Sequence, residues 1–249
     1  MARSNNGSSD DIVATATTGI VTNPISAAGW LFASATSANG IALLACGNVN
    51  TTDGFLFAPY DGNNGKTEII ISGQGTLASS SVIFTAGVWH HYGFDYQFFS
   101  SNNETAHVYF DGAVVASIVN GNLGTNAMGA ASTPFRIGRW NAGGTISTAG
   151  AMRAADVAVW NVVLTAAEVA ALAKGARPYQ IRNSALTRWW PFDGLASPEP
   201  DFGGTRDNMT LTGTSFAFGP PMTMFTPRWP MGGILPAPSP YVLMPQIVM

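Results

Sequence analysis

The stretch Val88-Trp-His-His-Tyr-Gly-Phe-Asp-Tyr96, answered by His107-Val-Tyr-Phe-Asp-Gly112, constrains the fold more than any other part of the chain. Both halves alternate in the manner of strands, and a polar gap from Ser100 to Glu104 joins them. In the first half Tyr92, Phe94 and Tyr96 fall on one face, and Trp89, His91 and Asp95 on the other. Successive strand side chains point to opposite faces, so the pattern predicts a sheet element packed on both sides. Asp111-Gly112 stands where a tight turn is needed before the run from Ala113 to Ile118.

Similar short apolar runs recur throughout, at 12–16, 29–33, 41–46, 54–58, 68–72, 81–85, 135–138 and 152–160, separated by Gly, Asn, Ser and Asp. Regular spacing of β-branched and aromatic runs between turn signals predicts an all-β, two-sheet antiparallel sandwich. One helix interrupts it. Thr165-Ala-Ala-Glu168 has the form of a capping box, Val169, Leu172 and Ala173 supply the apolar stripe, and Lys174-Gly175 supplies the stop. Two further strands are expected around Arg188–Gly194 and Met209–Gly213. From Pro220 the character changes: the stretch to Met249 holds eight prolines and a single charge, Arg228. Proline cannot donate to a ladder and breaks helices, so this segment is expected to run as an extended strap. It is too apolar for an ordinary disordered tail. The expected organisation is a sandwich over 1–220, with a flexible N-terminal arm at 1–10, followed by a Pro-rich apolar tail at 221–249.

Only 10% of residues are charged, against about 25% in an ordinary domain. Few groups are therefore available for acid–base chemistry, and some of the surface is expected to be covered by partners. A net charge of -3 offers no basic face for nucleic acid. Cys46 is the one cysteine, so the fold does not rest on an intrachain disulfide. No run approaches the roughly 18 apolar residues of a membrane span, and the first ten residues lack the apolar core of a signal peptide. The Asn-x-Thr/Ser triplets at Asn6, Asn50, Asn103 and Asn208 are accordingly expected to stay unglycosylated.

With these motifs in place, the chain resembles the laminin G-like, concanavalin A-like jelly rolls. The matching elements are Trp89-His90-His91, Val108-Tyr-Phe-Asp-Gly112, Phe135-Arg-Ile-Gly-Arg139, and Asp156-Val-Ala-Val-Trp-Asn161 running into Leu164-Thr-Ala-Ala-Glu168. Their order and spacing cover roughly Asp11 to Gly175, and Trp189 to Gly213 looks like the family's Trp-Pro element displaced to the end. The fold hosts lectins, glycanases and inert structural domains alike, so function must be argued from sites.

Family members that cleave β-glucans carry paired strand carboxylates, because retaining hydrolysis needs two of them about 5 Å apart. Here Glu68, Glu104, Glu168 and Glu199 are the only glutamates, and none has a strand partner at that spacing. No enzymatic activity is expected. His90 and His91 are adjacent and so face opposite ways; His91 and His107 can meet across a hairpin, which without a third ligand is a structural pair. No cofactor is expected. The resemblance implies one candidate Ca2+ loop, Asp53 with Asp61-Gly-Asn-Asn64, although Asp-Gly-Asn is also ordinary turn chemistry. Gly65-Lys66-Thr67 and Gly73-x-Gly75 imitate phosphate loops but precede strands rather than helices. Trp140-Asn141 and Tyr60-Asp61 have the aromatic-plus-amide or aromatic-plus-carboxylate character of sugar sites, against a plainer reading as strand-end residues packing on a rim. Trp30, Trp89 and Trp160 are expected in the core.

Taken together, the resemblance, the low charge and the strap predict a non-enzymatic structural or decoration protein of a virion, made in the host cytoplasm. Phe225, Arg228, Trp229, Ile234 and Tyr241 would contact neighbouring virion proteins or other copies of the chain. The alternative is a lectin-like module that binds host-surface glycan through Tyr60, Asp61, Trp140 and Asn141. Neither nucleic acid nor membrane is an expected partner.

Overall fold

The computed structural model describes residues 1–6, 9–16, 23–48, 50, 53–71, 75–121, 123, 133–147, 150–193 and 197–220. Phe225, Arg228, Trp229, Ile234 and Tyr241 therefore lie outside the described residues.

Among those residues two antiparallel sheets stack face to face as a jelly-roll sandwich. The first contains β1 (Ala2–Asn5), β3 (Ile25–Phe32), β8 (Trp89–Ser100), β9 (Asn103–Phe110), β10 (Ala113–Gly121), β14 (Met152–Trp160), β15 (Leu186–Trp190) and β17 (Ser215–Ala217). Its order is β10-β9-β8-β3-β14-β1-β17, with β15 also on β14. The second contains β2 (Asp11–Ala14), β4 (Leu44–Asn48), β5 (Asp53–Ala58), β6 (Glu68–Ile71), β7 (Gly75–Ala78), β11 (Arg136–Ile137), β12 (Asn141–Ala142), β13 (Thr145–Ile146) and β16 (Met209–Thr212). Its order is β16-β2-β11-β4-β5-β6-β7, with the β12–β13 hairpin attached to β4.

The β8–β9–β10 meander forms where the alternation places it, with Tyr92 opposite Phe110 and Tyr96 opposite Ala106. Asp111 (φ 47°) and Gly112 (φ 82°) both adopt positive φ, the requirement of a two-residue turn whose twist suits the flanking strands. Tyr92, Phe94 and Tyr96 point between the sheets and are fully buried. Phe94 meets Phe55 and Phe57 of the facing sheet at ring separations of 4.9 and 5.2 Å. Each such burial is worth about 1.5–3 kcal/mol.

The opposite face of β8 carries His91 and Asp95 and is closed by α1 (Ala166–Ala173). Its capping box is complete: Thr165 Oγ1 accepts from the Glu168 amide and Glu168 accepts from the Thr165 amide. Val169 and Leu172 sit over Tyr109, Ala158 and Trp160 in a second core. Trp160 lies there, buried. Trp30 and Trp89 also belong to this outer face and are only partly covered, which corrects their expected place in the core. The strand period of two puts Trp30, Phe32, Trp89 and His91 on the side away from Leu31 and Tyr92.

The expected flexible arm at 1–10 is also corrected. Ala2–Asn5 is a strand between β14 and β17, and Ala2 and Arg3 are buried. β14 offers one edge to two strands in turn, β1 along Met152–Ala154 and β15 along Val157–Trp160. The change occurs at a bulge where Asp156 adopts φ 47°. Its buried carboxylate accepts from Arg177 (2.6 Å) and from the Trp189 indole (3.0 Å). The two late strands divide between the sheets, β15 joining the first and β16 the second. The loop between them is tied down by Asp201, which accepts from the amides of Trp189, Gly203 and Asp207, and by the buried Arg188–Asp207 pair.

Candidate functional site

The segment after β11 turns sharply at Gly138 and places Trp140 at the start of the β12–β13 hairpin, whose tip is Gly143-Gly144 with positive φ at both glycines. Asn141 pairs in parallel with Asn48, the last residue of β4. The Asn48 side-chain oxygen accepts from the amides of Gly143 (2.9 Å) and Asn50 (3.0 Å). The Asn141 oxygen accepts from Gly144 (2.9 Å). Asn50 lies against the same tip, its amide nitrogen 3.3 Å from where a Cβ on Gly143 would stand. Ser147 closes the base of the hairpin by donating its backbone amide to the Trp140 carbonyl (2.9 Å), and its own carbonyl accepts from Arg139 Nε (2.9 Å). Trp140 is half-buried. Its ring rests on an apolar patch of Ala42, Ala45, Leu56 and Ala58, with Ile70 beside it, on the outer face of the second sheet. A half-buried indole on the outer face of the second sheet thus leads into a hairpin whose tip is held by the Asn48 and Asn141 side-chain oxygens, with Asn50 against it.

The other expected pair arrives at the same rim but turns away. Tyr60 bridges Ile41, and an added Cβ on Gly40 would stand 3.1 Å from the Tyr60 carbonyl and 3.7 Å from the edge of the Trp140 indole. The Tyr60 backbone and the edge of the Trp140 ring therefore meet at Gly40. The rings do not: Tyr60 packs on Phe84 at 5.2 Å and belongs to the inter-sheet core. Asp61 accepts from Asn63 Nδ2 (3.3 Å) and the Asn64 amide (3.1 Å), which organises its own turn. Among the described residues no three His, Cys, Asp or Glu side chains converge to hold a metal ion. The sequence did not single out Asn48 and Asn50; Asn-Val-Asn at a strand end was the available signal, and only the parallel Asn141–Asn48 contact joins it to Trp140.

The titratable residues elsewhere are engaged in the fold. His91 and His107 do not meet. His107 Nδ1 lies 2.8 Å from Asp95, which also accepts from the Tyr109 hydroxyl (2.7 Å), while His91 lies edge-on to Trp30. Burial pushes the His91 imidazole down to about 4. Glu68, Glu104 and Glu199 are buried, and Glu168 is held by its cap and by Arg182. Burial, with the nearby Asp61 charge, pushes Glu68 up to about 7; burial likewise pushes Glu199 up to about 7.

This two-sheet jelly roll with a helix on one outer face is the architecture of the lectin and glucanase sandwiches. Residues 6–170 match the laminin G-like model described as the Concanavalin A-like lectin/glucanases superfamily, and the chain belongs to that family. Two similar solved structures are a candidate carbohydrate binding protein from Bacteroides ovatus (16% identity, TM-score 0.61, 86% of this chain and 59% of that one) and the native heptameric SAP-like pentraxin from Limulus polyphemus (15% identity, TM-score 0.56, 86% and 93%). The chain thus spans 59% of the length of the Bacteroides protein. At these identities the likeness is one of fold. No curated protein matches the chain.

Proposed function

We propose that this domain binds carbohydrate at the Trp140 rim and does not cleave it. The observation that carries this reading is the half-buried Trp140 indole, seated on an apolar patch at the foot of a hairpin whose tip is organised by Asn48, Asn50 and Asn141. A sugar ring has an apolar face of C–H groups and a rim of hydroxyls that both donate and accept. An aromatic face matches the first, and amides, which also donate and accept, match the second. The ring and amide oxygens are held before ligand arrives, which lowers the ordering cost of binding. Family membership and the Bacteroides protein support the same reading. Binding without hydrolysis is supported by the glutamates, three of which are buried while the fourth caps α1.

The virion reading rests on the resemblance, the low charge and the segment 221–249, which lies outside the described residues, and it takes no support from the relatives named above. Tyr60 and Asp61 act here through loop structure, since one packs on Phe84 and the other holds a turn.

The test is a neutral-oligosaccharide array followed by calorimetric titration of the best hit with the full chain and with Trp140→Ala. Loss of a central aromatic contact costs about 2 kcal/mol or more, so affinity should fall at least tenfold with the melting temperature little changed. Unchanged affinity in a folded Trp140→Ala protein would remove the rim from consideration, and release of shorter sugars would make the domain an enzyme.

A further inference from the structure

The outer face of the first sheet is covered by α1 only over its middle. Trp30, His91, Asp156 and Trp160 line a narrow gap there with Leu172 and Pro178. Two residues farther along the strands that cover ends. The ladder register there sets Ser215, Ser4, Arg153, Phe32 and Trp89 side by side, one each from β17, β1, β14, β3 and β8. Residues in one such row project to the same face, and five strands at about 4.8 Å spacing make a row roughly 19 Å long. All five are partly or fully exposed.

Arg153 is the centre of this row. Its guanidinium lies over the Phe32 ring at 4.6 Å, and Phe32 stands 5.8 Å from Trp89. Arg136, Arg177, Arg182 and Arg188 all pair with carboxylates; among the described residues Arg153 pairs with none. A groove of about 490 Å3 runs on one side of it, with Ser4, Ser215, Phe216 and Phe218 in its walls. A smaller one of about 80 Å3 runs on the other, bounded by Phe32 and Ser34. Both are lined by Ser4 and Arg153, so the guanidinium stands where the two meet. Phe218, 89% exposed, is uncovered beside it.

We propose that this trough is a second binding site, distinct from the Trp140 rim, and that it takes a carboxylate-bearing sugar such as a uronic or sialic acid residue. The guanidinium is a planar fork that matches a carboxylate with two parallel hydrogen bonds. Stacking on Phe32 holds it in place, so little side-chain freedom is lost on binding. The serine hydroxyls supply donors and acceptors for sugar hydroxyls, and Trp89 supplies a flat apolar face. A neutral ligand filling the same trough would desolvate the cation without pairing it, which is unfavourable.

The two sites lie on opposite sheets, so either reading can fail alone. The full chain is titrated calorimetrically with two matched pairs: trigalacturonate against its methyl ester, and sialyllactose against lactose. In at least one pair the acid should bind about tenfold or more tighter than its neutral partner, with the preference weakening as salt is raised. Arg153→Gln should abolish the preference, Arg153→Lys should keep only part of it, and Trp140→Ala should leave it intact. If Arg153→Gln does not fold, the Lys variant decides, because it keeps the charge but not the fork. Equal binding of acid and neutral partner in both pairs overturns the proposal. So does a preference that survives both Arg153 variants, one that disappears in Trp140→Ala, or tighter binding of a sulfated oligosaccharide than of either acid.

Discussion

Glu199→Gln should stabilise this protein in mild alkali and leave it unchanged in mild acid. Glu199 is fully buried where its segment bridges Met209. One carboxyl oxygen accepts from the Phe192 amide at 2.8 Å; the other has no partner among the described residues. Burial raises its pKa from 4.5 to about 7, with the Arg3 charge acting in the opposite direction. A carboxyl whose folded pKa is raised favours folding while protonated. Its contribution is full below the unfolded value near 4.5 and is lost as pH climbs through about 7. At about 1.4 kcal/mol per unit, the span from 4.5 to about 7 amounts to about 3 kcal/mol. Glutamine has the shape of the protonated acid and no charge to desolvate. Urea unfolding of both proteins at a series of pH values between about 4 and 8 should give nearly coincident stabilities at the acid end and a gap of about 3 kcal/mol in favour of the variant at the alkaline end. The comparison isolates Glu199 from Glu68, which has the same sign, and from His91. The lowered pKa of His91 makes it lose stability as pH falls from about 6.5 toward 4. Parallel pH profiles for the two proteins, or a variant weaker at pH 8, would refute the reasoning and mean that Glu199 is held as a carboxylate.

Thr165→Ala should cost about 1 kcal/mol, read as a shift in urea midpoint without a change of slope, because it removes the acceptor for the Glu168 amide. Gly54→Ala should cost more than about 3 kcal/mol, combining backbone strain of about 1–3 kcal/mol with a clash. At Gly54 φ is +114°, and a Cβ would come within 1.9 Å of the Cys46 carbonyl oxygen. Gly87→Ala is the matched control: its φ is also positive, but nothing lies within 4 Å of the added carbon, so the loss of melting temperature should be much smaller.

Features legible in the sequence are those whose cause is local. The period of two in Trp89–Tyr96 sets the buried face of β8 because neighbouring strand residues cannot share a side. Asp111-Gly112 makes its turn because both positions need positive φ, and Thr165 to Glu168 caps a helix because donor and acceptor lie three residues apart. Trp140 and Asn141 could be singled out by residue type. That Asn48 and Asn50 join the hairpin after Trp140 follows from the meeting of segments more than 90 residues apart in sequence, and that Tyr60 turns to Phe84 follows from packing between two loops of the same sheet. Ala2–Asn5 has no strand pattern of its own. It becomes one because β14 leaves an open edge before the Asp156 bulge and β17 closes the other side. The same pairing brings Ser4 beside Arg153 and Arg153 beside Phe32. The alternation of this chain thus determines by itself which residues can face the core. Which residues stand next to one another across the sheet, and therefore what either surface can bind, is decided by register between strands far apart in the chain. No local pattern encodes that register, because it is selected by the burial of the whole sandwich.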